Sequence, residues 1–354
     1  MRGIRWRRNF RRLFRVAENL SVTVKEFSQE NAGPIVIAHR GASGYLPEHT
    51  LEAKALAIGM GADFVEQDIV ITKDGAPIVT HDIFLEDVTD IAARFSGRGR
   101  GDGHYYAIDF TVGELKTLSR HERVDNDGNT VFPGRFPRTS CRFAVITLSE
   151  EIEFVKGINK SAGRNVGLYT EVKFPAWHRA QGQDVTRITL DTLARHGYTR
   201  RGDNVYFQCF DALELKRVRG DLGCDLKLIQ LIGENAWNES TTDYDAMRTD
   251  RGLADVATYA DGIGPEITQL VEWTLPGAPP TMKTLGALAK SHGLRIHPYT
   301  FRTDQLPPSA PDPVSVLNAL FDQVKVDGIF SDFTDFVVDY RNARGDRKAI
   351  TPPT

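Results

Sequence analysis

Residues 64–82 read FVEQDIVITKDGAPIVTHD. Two apolar runs, Phe64–Ile71 and Pro77–Thr80, flank Asp74-Gly75, a dipeptide that suits the positive φ angles of a tight hairpin turn. Too little chain joins the runs for a helical crossover, so they are expected to pair antiparallel. A two-residue turn sets Lys73 opposite Ala76 and, counting outward, Asp68 opposite His81. Strand alternation puts Glu66 and Asp68 on one side of the sheet.

Similar runs recur on both sides of this hairpin: Ile35–Ala38, Val166–Val172, Val205–Phe210, Leu226–Ile232, Asp261–Gly264, Arg295–Phe301 and Gly328–Asp332. Between them lie helical patterns, Glu48–Met60, Leu148–Gly157, Val185–Arg195, Asp211–Arg217, Met282–His292 and Pro313–Val324. Thr147 and Glu150 have the spacing of a capping box. Strands alternating with helices imply a parallel sheet. If Pro77–Thr80 is the hairpin's return, eight parallel strands remain, the number that closes a (β/α)8 TIM barrel. The fold expected is therefore α/β, a (β/α)8 barrel, with a doubly wound open sheet as the alternative. Residues 82–142 are too many for an ordinary connection and read as an inserted small subdomain. The expected organisation is a basic tail over 1–33, a barrel over 34–354 and the insertion within it.

The first strand ends in His39-Arg40-Gly41, and barrel active sites lie at that end of the strands. Arginine presents a planar fork suited to phosphate oxygens, and glycine lets the backbone turn close to a ligand. Glu66 and Asp68 inside a barrel need a cation, because unpaired buried charge costs several kcal/mol. Oxygen-only ligands favour Ca²⁺ or Mg²⁺ over zinc. His81 falls beside this pair if the hairpin register holds. Glu171-Val172-Lys173 ends the next parallel strand, so Glu171 can complete a three-carboxylate site. Lys173 reads either as a phosphate contact or as an ion-pair partner of Glu66, Asp68 or Glu171. Trp177, Phe210, Trp237 and Tyr299, near strand ends, read as pocket lining or as packing.

Seven arginines precede the first acid, Glu18, and without them 37 basic residues face 47 acidic ones. An acidic body argues against nucleic acid as the ligand. The three cysteines, Cys141, Cys209 and Cys224, suit neither a disulfide framework nor a zinc site. No stretch reaches the roughly 18 to 20 apolar residues of a membrane span. The Arg-rich start has no apolar run after it, so it does not read as a secretory signal and a cytoplasmic location is expected. Residues 2–17 carry a partial apolar stripe (Trp6, Phe10, Leu13, Phe14, Ala17) that suits contact with an anionic membrane surface, or form a basic tail.

His39-Arg40-Gly41, Pro47-Glu48-His49-Thr50, Glu66-Gln67-Asp68, Lys73-Asp74-Gly75, His81-Asp82, Glu171-Val172-Lys173, Gln208-Cys209-Phe210-Asp211 and Ser331-Asp332 together resemble the glycerophosphodiester phosphodiesterases. The long 82–142 segment, with Tyr105 to Phe110, is similar to the larger bacterial form, whose typical members are periplasmic and calcium-dependent. The resemblance implies Glu66, Asp68 and Glu171 as ligands of a divalent metal, Ca²⁺ ahead of Mg²⁺. It implies His39 and His81 as an acid/base pair and Arg40 and Lys173 as phosphate contacts. The activity implied is hydrolysis of glycerophosphocholine, glycerophosphoethanolamine and similar diesters to sn-glycerol 3-phosphate and an alcohol, in glycerol and lipid metabolism. It also implies a periplasmic location as the alternative to a cytoplasmic one. Two other readings are a phospholipase acting on intact lipid on the same barrel, and a non-catalytic protein that binds a phosphate ligand.

Overall fold

The computed structural model describes residues 33–138, 141–275 and 277–349. The basic segment 2–17 and its expected membrane-facing stripe lie outside the described residues. Eight parallel strands form the barrel: β1 (Ile35–Ala38), β2 (Phe64–Ile71), β4 (Gly167–Val172), β5 (Val205–Cys209), β6 (Lys227–Ile232), β7 (Gly262–Pro265), β10 (Arg295–Ile296) and β11 (Gly328–Ser331). β3 (Pro77–Val79) is the antiparallel partner of β2, and β8 (Val271–Glu272) with β9 (Thr281–Met282) makes a separate ribbon. The strand order β10-β7-β6-β5-β4-β2-β1-β11 follows the chain around a ring. Backbone bonds close it, since Asp327 donates to Ile296 at 2.9 Å, Phe330 to Pro298 at 3.0 Å and Phe301 to Phe330 at 2.8 Å. Closure excludes the open doubly wound sheet, whose edges would remain unpaired.

The expected strands all form, with ends shifted by a few residues where the ladder stops. All six expected helices form within a few residues of their expected ends, among them α1 (Leu51–Met60), α2 (Leu148–Ala162) and α3 (Val185–Arg195). Thr50 caps α1 by accepting from the Ala53 N–H, and Gly61 ends it at φ 101°, where a Cβ would be strained. Thr147 and Glu150 form the expected capping box on α2. A C-terminal helix, α4 (Thr334–Ala349), was not expected, because its few apolar residues are spread through a charged sequence; Val337 is buried and Val338 nearly so, and the helix packs on α1 and β1.

The hairpin register differs from expectation by one residue. Ile69 pairs with Val79, Ile71 with Pro77, and the Thr80 N–H bonds the Asp68 carbonyl at 2.9 Å, so Thr80 rather than His81 faces Asp68. The turn holds three residues, Lys73 to Gly75. Thr72 stabilises it by donating its hydroxyl to Asp74 at 2.6 Å and accepting from the Ala76 N–H at 2.9 Å. Gly75 occupies the left-handed region at φ 79°.

Inside the ring, Ile37, Phe64, Tyr169, Tyr206, Ile229 and Phe330 fill the barrel, with Tyr169 and Tyr206 stacked at 4.9 Å. Between barrel and helices lies the larger apolar layer; each Val, Leu or Ile fully buried there contributes roughly 1.5–3 kcal/mol. The long segment after β3 has a core of its own. Leu85, Ile91, Ala107, Phe110, Leu115 and Leu118 pack on Val70 and Ile78 of the hairpin, which anchors the segment above the strand ends.

Candidate active site

The β1–α1 connection carries the first group of polar side chains. Gly41 has φ 94°, and a Cβ there would stand 2.9 Å from the Ala53 backbone, so glycine lets the loop lie directly on α1. Arg40 and His49, neither a glycine, also adopt positive φ (59° and 57°). Such strain persists where surrounding bonds fix the backbone. Here the Arg40 N–H donates to Glu66 Oε2 at 3.0 Å and the His49 N–H to the Arg40 carbonyl at 2.9 Å.

Glu66, Asp68 and Glu171 converge, each offering a carboxylate oxygen within 4.8 Å of the others, and all three are buried. Parallel pairing of β2 with β4 sets Asp68 beside Glu171. Burial, then repulsion from Asp68 and Glu171, raises the Glu66 carboxyl well above its usual range. Burial also pushes Glu171 up to about 8, with Asp68 adding to the shift and Lys173 opposing it. Burial disfavours ionised Asp68 too, but His49, His81 and Lys173 outweigh it and hold that carboxyl well below normal. One of its oxygens, Oδ1, is buried without a hydrogen-bond partner, as is Gln208 Oε1. Three crowded carboxylates, an orphaned carboxylate oxygen and an all-oxygen donor set fit a hard divalent cation, which would relieve the repulsion and use the orphan.

Two histidines face this cluster. His39 donates Nδ1–H to Asp332 Oδ1 at 2.6 Å, and His81 donates Nδ1–H to Asp82 Oδ1 at 2.7 Å. These bonds fix the tautomer and leave each Nε2 as the free nitrogen. His39 Nε2 lies 3.8 Å from Glu66, and His81 Nε2 lies 3.4 Å from Lys173 Nζ. Burial lowers His39 to about 4 despite the Asp332 charge. His81 is lowered by burial and then by Arg40 and Lys173. Lys173 is paired with Glu171 Oε1 at 2.7 Å, so the ion-pair reading holds in this structure while the ammonium still lines the cavity.

The structure thus brings together all seven residues singled out from the sequence: His39, Arg40, Glu66, Asp68, His81, Glu171 and Lys173 line one cavity of about 510 Å³. His81 lines the cavity even with the shifted register, one residue beyond Thr80, whose N–H makes the last bond to β2. Phe210, Trp237 and Tyr299 also line the cavity; Trp177 does not, and stacks instead on Tyr106 at 5.4 Å. Supporting residues had no assigned role in the sequence reading. His49, wholly buried, donates Nε2–H to Asp68 Oδ2 at 2.8 Å, and Gln208 donates to Glu66 Oε1 at 3.0 Å. Glu48 holds Arg40 Nη1 at 2.9 Å. Lys54, inside α1, bonds the Glu66 carbonyl and pairs with buried Glu151 at 3.1 Å. Their signal was present as motif neighbours; Lys54 alone had none, since a helical lysine ordinarily faces water.

Among the described residues no helix is long and apolar enough to cross a membrane. A sequence model of the glycerophosphoryl diester phosphodiesterase family matches residues 39–336. The glycerophosphodiester phosphodiesterase of Haemophilus influenzae is 42% identical over 332 residues, covering 88% of this chain and 91% of that protein. The Treponema pallidum enzyme of the same name is 35% identical, covering 86% and 91%. Among solved structures, one from Silicibacter pomeroyi superposes with a TM-score of 0.65 at 24% identity, covering 89% of this chain and 95% of that one. An Oleispira antarctica phosphodiesterase in complex with its product sn-glycerol-3-phosphate gives 0.58 at 20% identity, covering 87% and 97%. The family match begins at His39 itself and runs through every strand that carries a residue of the cavity; the chain belongs to the glycerophosphoryl diester phosphodiesterase family and is a phosphodiesterase acting on glycerophosphodiesters.

Proposed function

We propose that the chain hydrolyses small, water-soluble glycerophosphodiesters such as glycerophosphocholine and glycerophosphoethanolamine to sn-glycerol 3-phosphate and the free alcohol. The observation that carries this reading is the convergence of three buried carboxylates with two Asp-oriented imidazoles, Arg40 and Lys173 in one cavity. Glu66, Asp68 and Glu171 would hold the cation, Ca²⁺ before Mg²⁺, because Ca²⁺ tolerates irregular carboxylate geometry and Mg²⁺ demands near-octahedral order. When bound, the cation supplies Lewis-acid polarisation of the phosphodiester.

The side chains divide the remaining work. Arg40 offers donors to the phosphate oxygens, and its guanidinium is held in place by Glu48. Lys173 supplies a second positive charge where charge builds in the transition state. One Nε2 takes the proton of the nucleophile, and the other imidazole, entering the reaction protonated with its aspartate as counter-charge, gives its Nε2 proton to the leaving alcohol oxygen. A binding protein would need neither histidine, which favours turnover over simple capture. The cavity has the scale of a small-ligand site, which supports a deacylated substrate over an intact lipid.

The test is release of glycerol 3-phosphate from glycerophosphocholine with Ca²⁺, with Mg²⁺ and with a chelator. Turnover that disappears on chelation and in Glu66→Ala supports the reading; a folded wild-type chain that releases none under any metal overturns it. Ala at His39 or His81 is expected to lower kcat at least about 100-fold.

A further inference from the structure

Both histidine–aspartate pairs continue outward to an arginine of the long segment. Asp82 Oδ1 accepts from His81, and its Oδ2 accepts from Arg123 Nη1 at 2.6 Å. Asp332 Oδ1 accepts from His39, and its Oδ2 accepts from Arg135 Nη2 at 2.7 Å. Each carboxylate has one oxygen on an imidazole and the other on a guanidinium, so it cannot rotate without losing a charged bond. The Asp332 side chain is 2% exposed and that of Asp82 16%, so water offers little replacement for the lost partner.

The two arginines are themselves held rigidly. Arg123 grips Glu48 through Nε at 3.1 Å and Nη2 at 2.8 Å, and Glu48 in turn holds Arg40. One guanidinium thereby ties the support of His81 to that of Arg40. Arg135 forms a fork with Asp304 at 2.9 and 3.1 Å and lies 3.7 Å over the Phe132 ring. Asp332 has a further partner in Arg302 at 2.7 Å, whereas Arg123 is the only arginine bonded to Asp82 among the described residues. Surface decoration does not explain this pattern, since the Arg135 side chain is 5% exposed and that of Arg123 19%.

Resting on the phosphodiesterase reading above, we propose that segment 82–142 is a working part of the active site: Arg123 and Arg135 are positioning residues, each completing a histidine–aspartate–arginine relay. Arg123 sets the His81 relay and Arg135 the His39 relay. Because the two histidines serve opposite ends of the reaction, the relays differ in how they respond to the leaving group. An alkyl alcohol needs a proton to leave, whereas a nitrophenolate does not.

The experiment compares glycerophosphocholine with the 4-nitrophenyl ester of glycerol phosphate, using full-length wild type, Arg123→Met, Arg135→Met and the two Lys variants. On glycerophosphocholine each Met variant is expected to lose about 10- to 100-fold in kcat, the range for removing the outer partner of an oriented imidazole, with KM changing less than kcat. The Arg123 variant should lose more, since Arg302 still holds Asp332. On the nitrophenyl ester one Met variant should regain most of its activity, the one whose relay ends on the acid, and the other should not. The Lys variants, which keep the charge, should recover part of the loss. Wild-type kcat in both Met variants, or losses equal on both substrates in both variants and following the fall in melting temperature, would overturn the proposal while leaving the phosphodiesterase reading intact. A wild-type chain inactive on both substrates overturns both.

Discussion

Stripping the cation should make the stability of this protein fall as pH rises. In the metal-free fold Glu171 is held at about 8, chiefly by burial, and Glu66 is also raised, by burial and by its carboxylate neighbours. An acid whose folded pKa lies above its unfolded value contributes stability that is full below about pH 4.5 and is lost as pH climbs to the folded pKa. For Glu171 that gap is about 3.5 pH units, or about 5 kcal/mol between pH 4.5 and pH 8 and beyond, and Glu66 adds in the same direction. Asp68 has the opposite sign, since its lowered pKa gives stability that is lost only as pH falls into the acid range. A bound cation replaces the protons and removes the repulsion, so the rise in Tm on adding Ca²⁺ should grow from about pH 5 to pH 8 and then level off. Proton competition at Glu171 alone should weaken the binding of a cation held by these carboxylates about tenfold at pH 7 relative to its high-pH limit. Melting curves over this range, with Ca²⁺ and with chelator, measure the effect, and Glu171→Gln should flatten much of the slope. A Ca²⁺-induced gain in Tm that is the same at both ends of the range would refute the argument that these carboxylates share one cation.

Glu122 is 5% exposed, its Oε2 has no hydrogen-bond partner, and burial with the nearby Glu48 charge raises it to about 7. Its ionisation destabilises the fold as pH rises from about 4.5 through 7, so Glu122→Gln should raise Tm near pH 8, by up to about 3 kcal/mol in stability, and have little effect near pH 4.5. Gly41→Ala must adopt φ near 94° and meet the Ala53 backbone at 2.9 Å; a loss of at least about 1 kcal/mol in stability is expected, together with reduced kcat/KM as Arg40 shifts. Lys54→Met leaves Glu151 buried without its ion-pair partner and should cost about 3–5 kcal/mol in chemical denaturation. Adding Glu151→Leu to that variant should recover much of the loss, and a double variant no more stable than the single one would count against the buried pair as the cause.

The strands and the residues at their ends were legible because both depend on local sequence. Alternation along Phe64–Ile71 places Glu66 and Asp68 together whatever the rest of the chain does. The Asp74-Gly75 turn called for a hairpin, and the count of eight remaining runs matched a closed barrel. The turn's length was not legible. Whether Thr72 joins it through its hydroxyl depends on side-chain geometry that the dipeptide does not specify, and that choice moved the register by one residue. α4 was missed for a similar reason, since its buried face is narrow and only docking onto α1 and β1 makes it apolar enough.

Residue types and strand order by themselves determined the chemistry of this protein: acids, histidines, an arginine and a lysine at the C-terminal ends of barrel strands admit few uses besides phosphate and a hard cation. Tertiary structure decided how those groups are held. Asp332 lies 293 residues from His39, and Arg123 lies 75 residues from Glu48, so neither pairing has a periodicity or a spacing to announce it. A buried carboxylate takes the partner that closure of the barrel and docking of the long segment bring within hydrogen-bond reach. The protonation of His39 and His81 therefore depends on contacts that exist only once the ring has closed and the segment has settled on it.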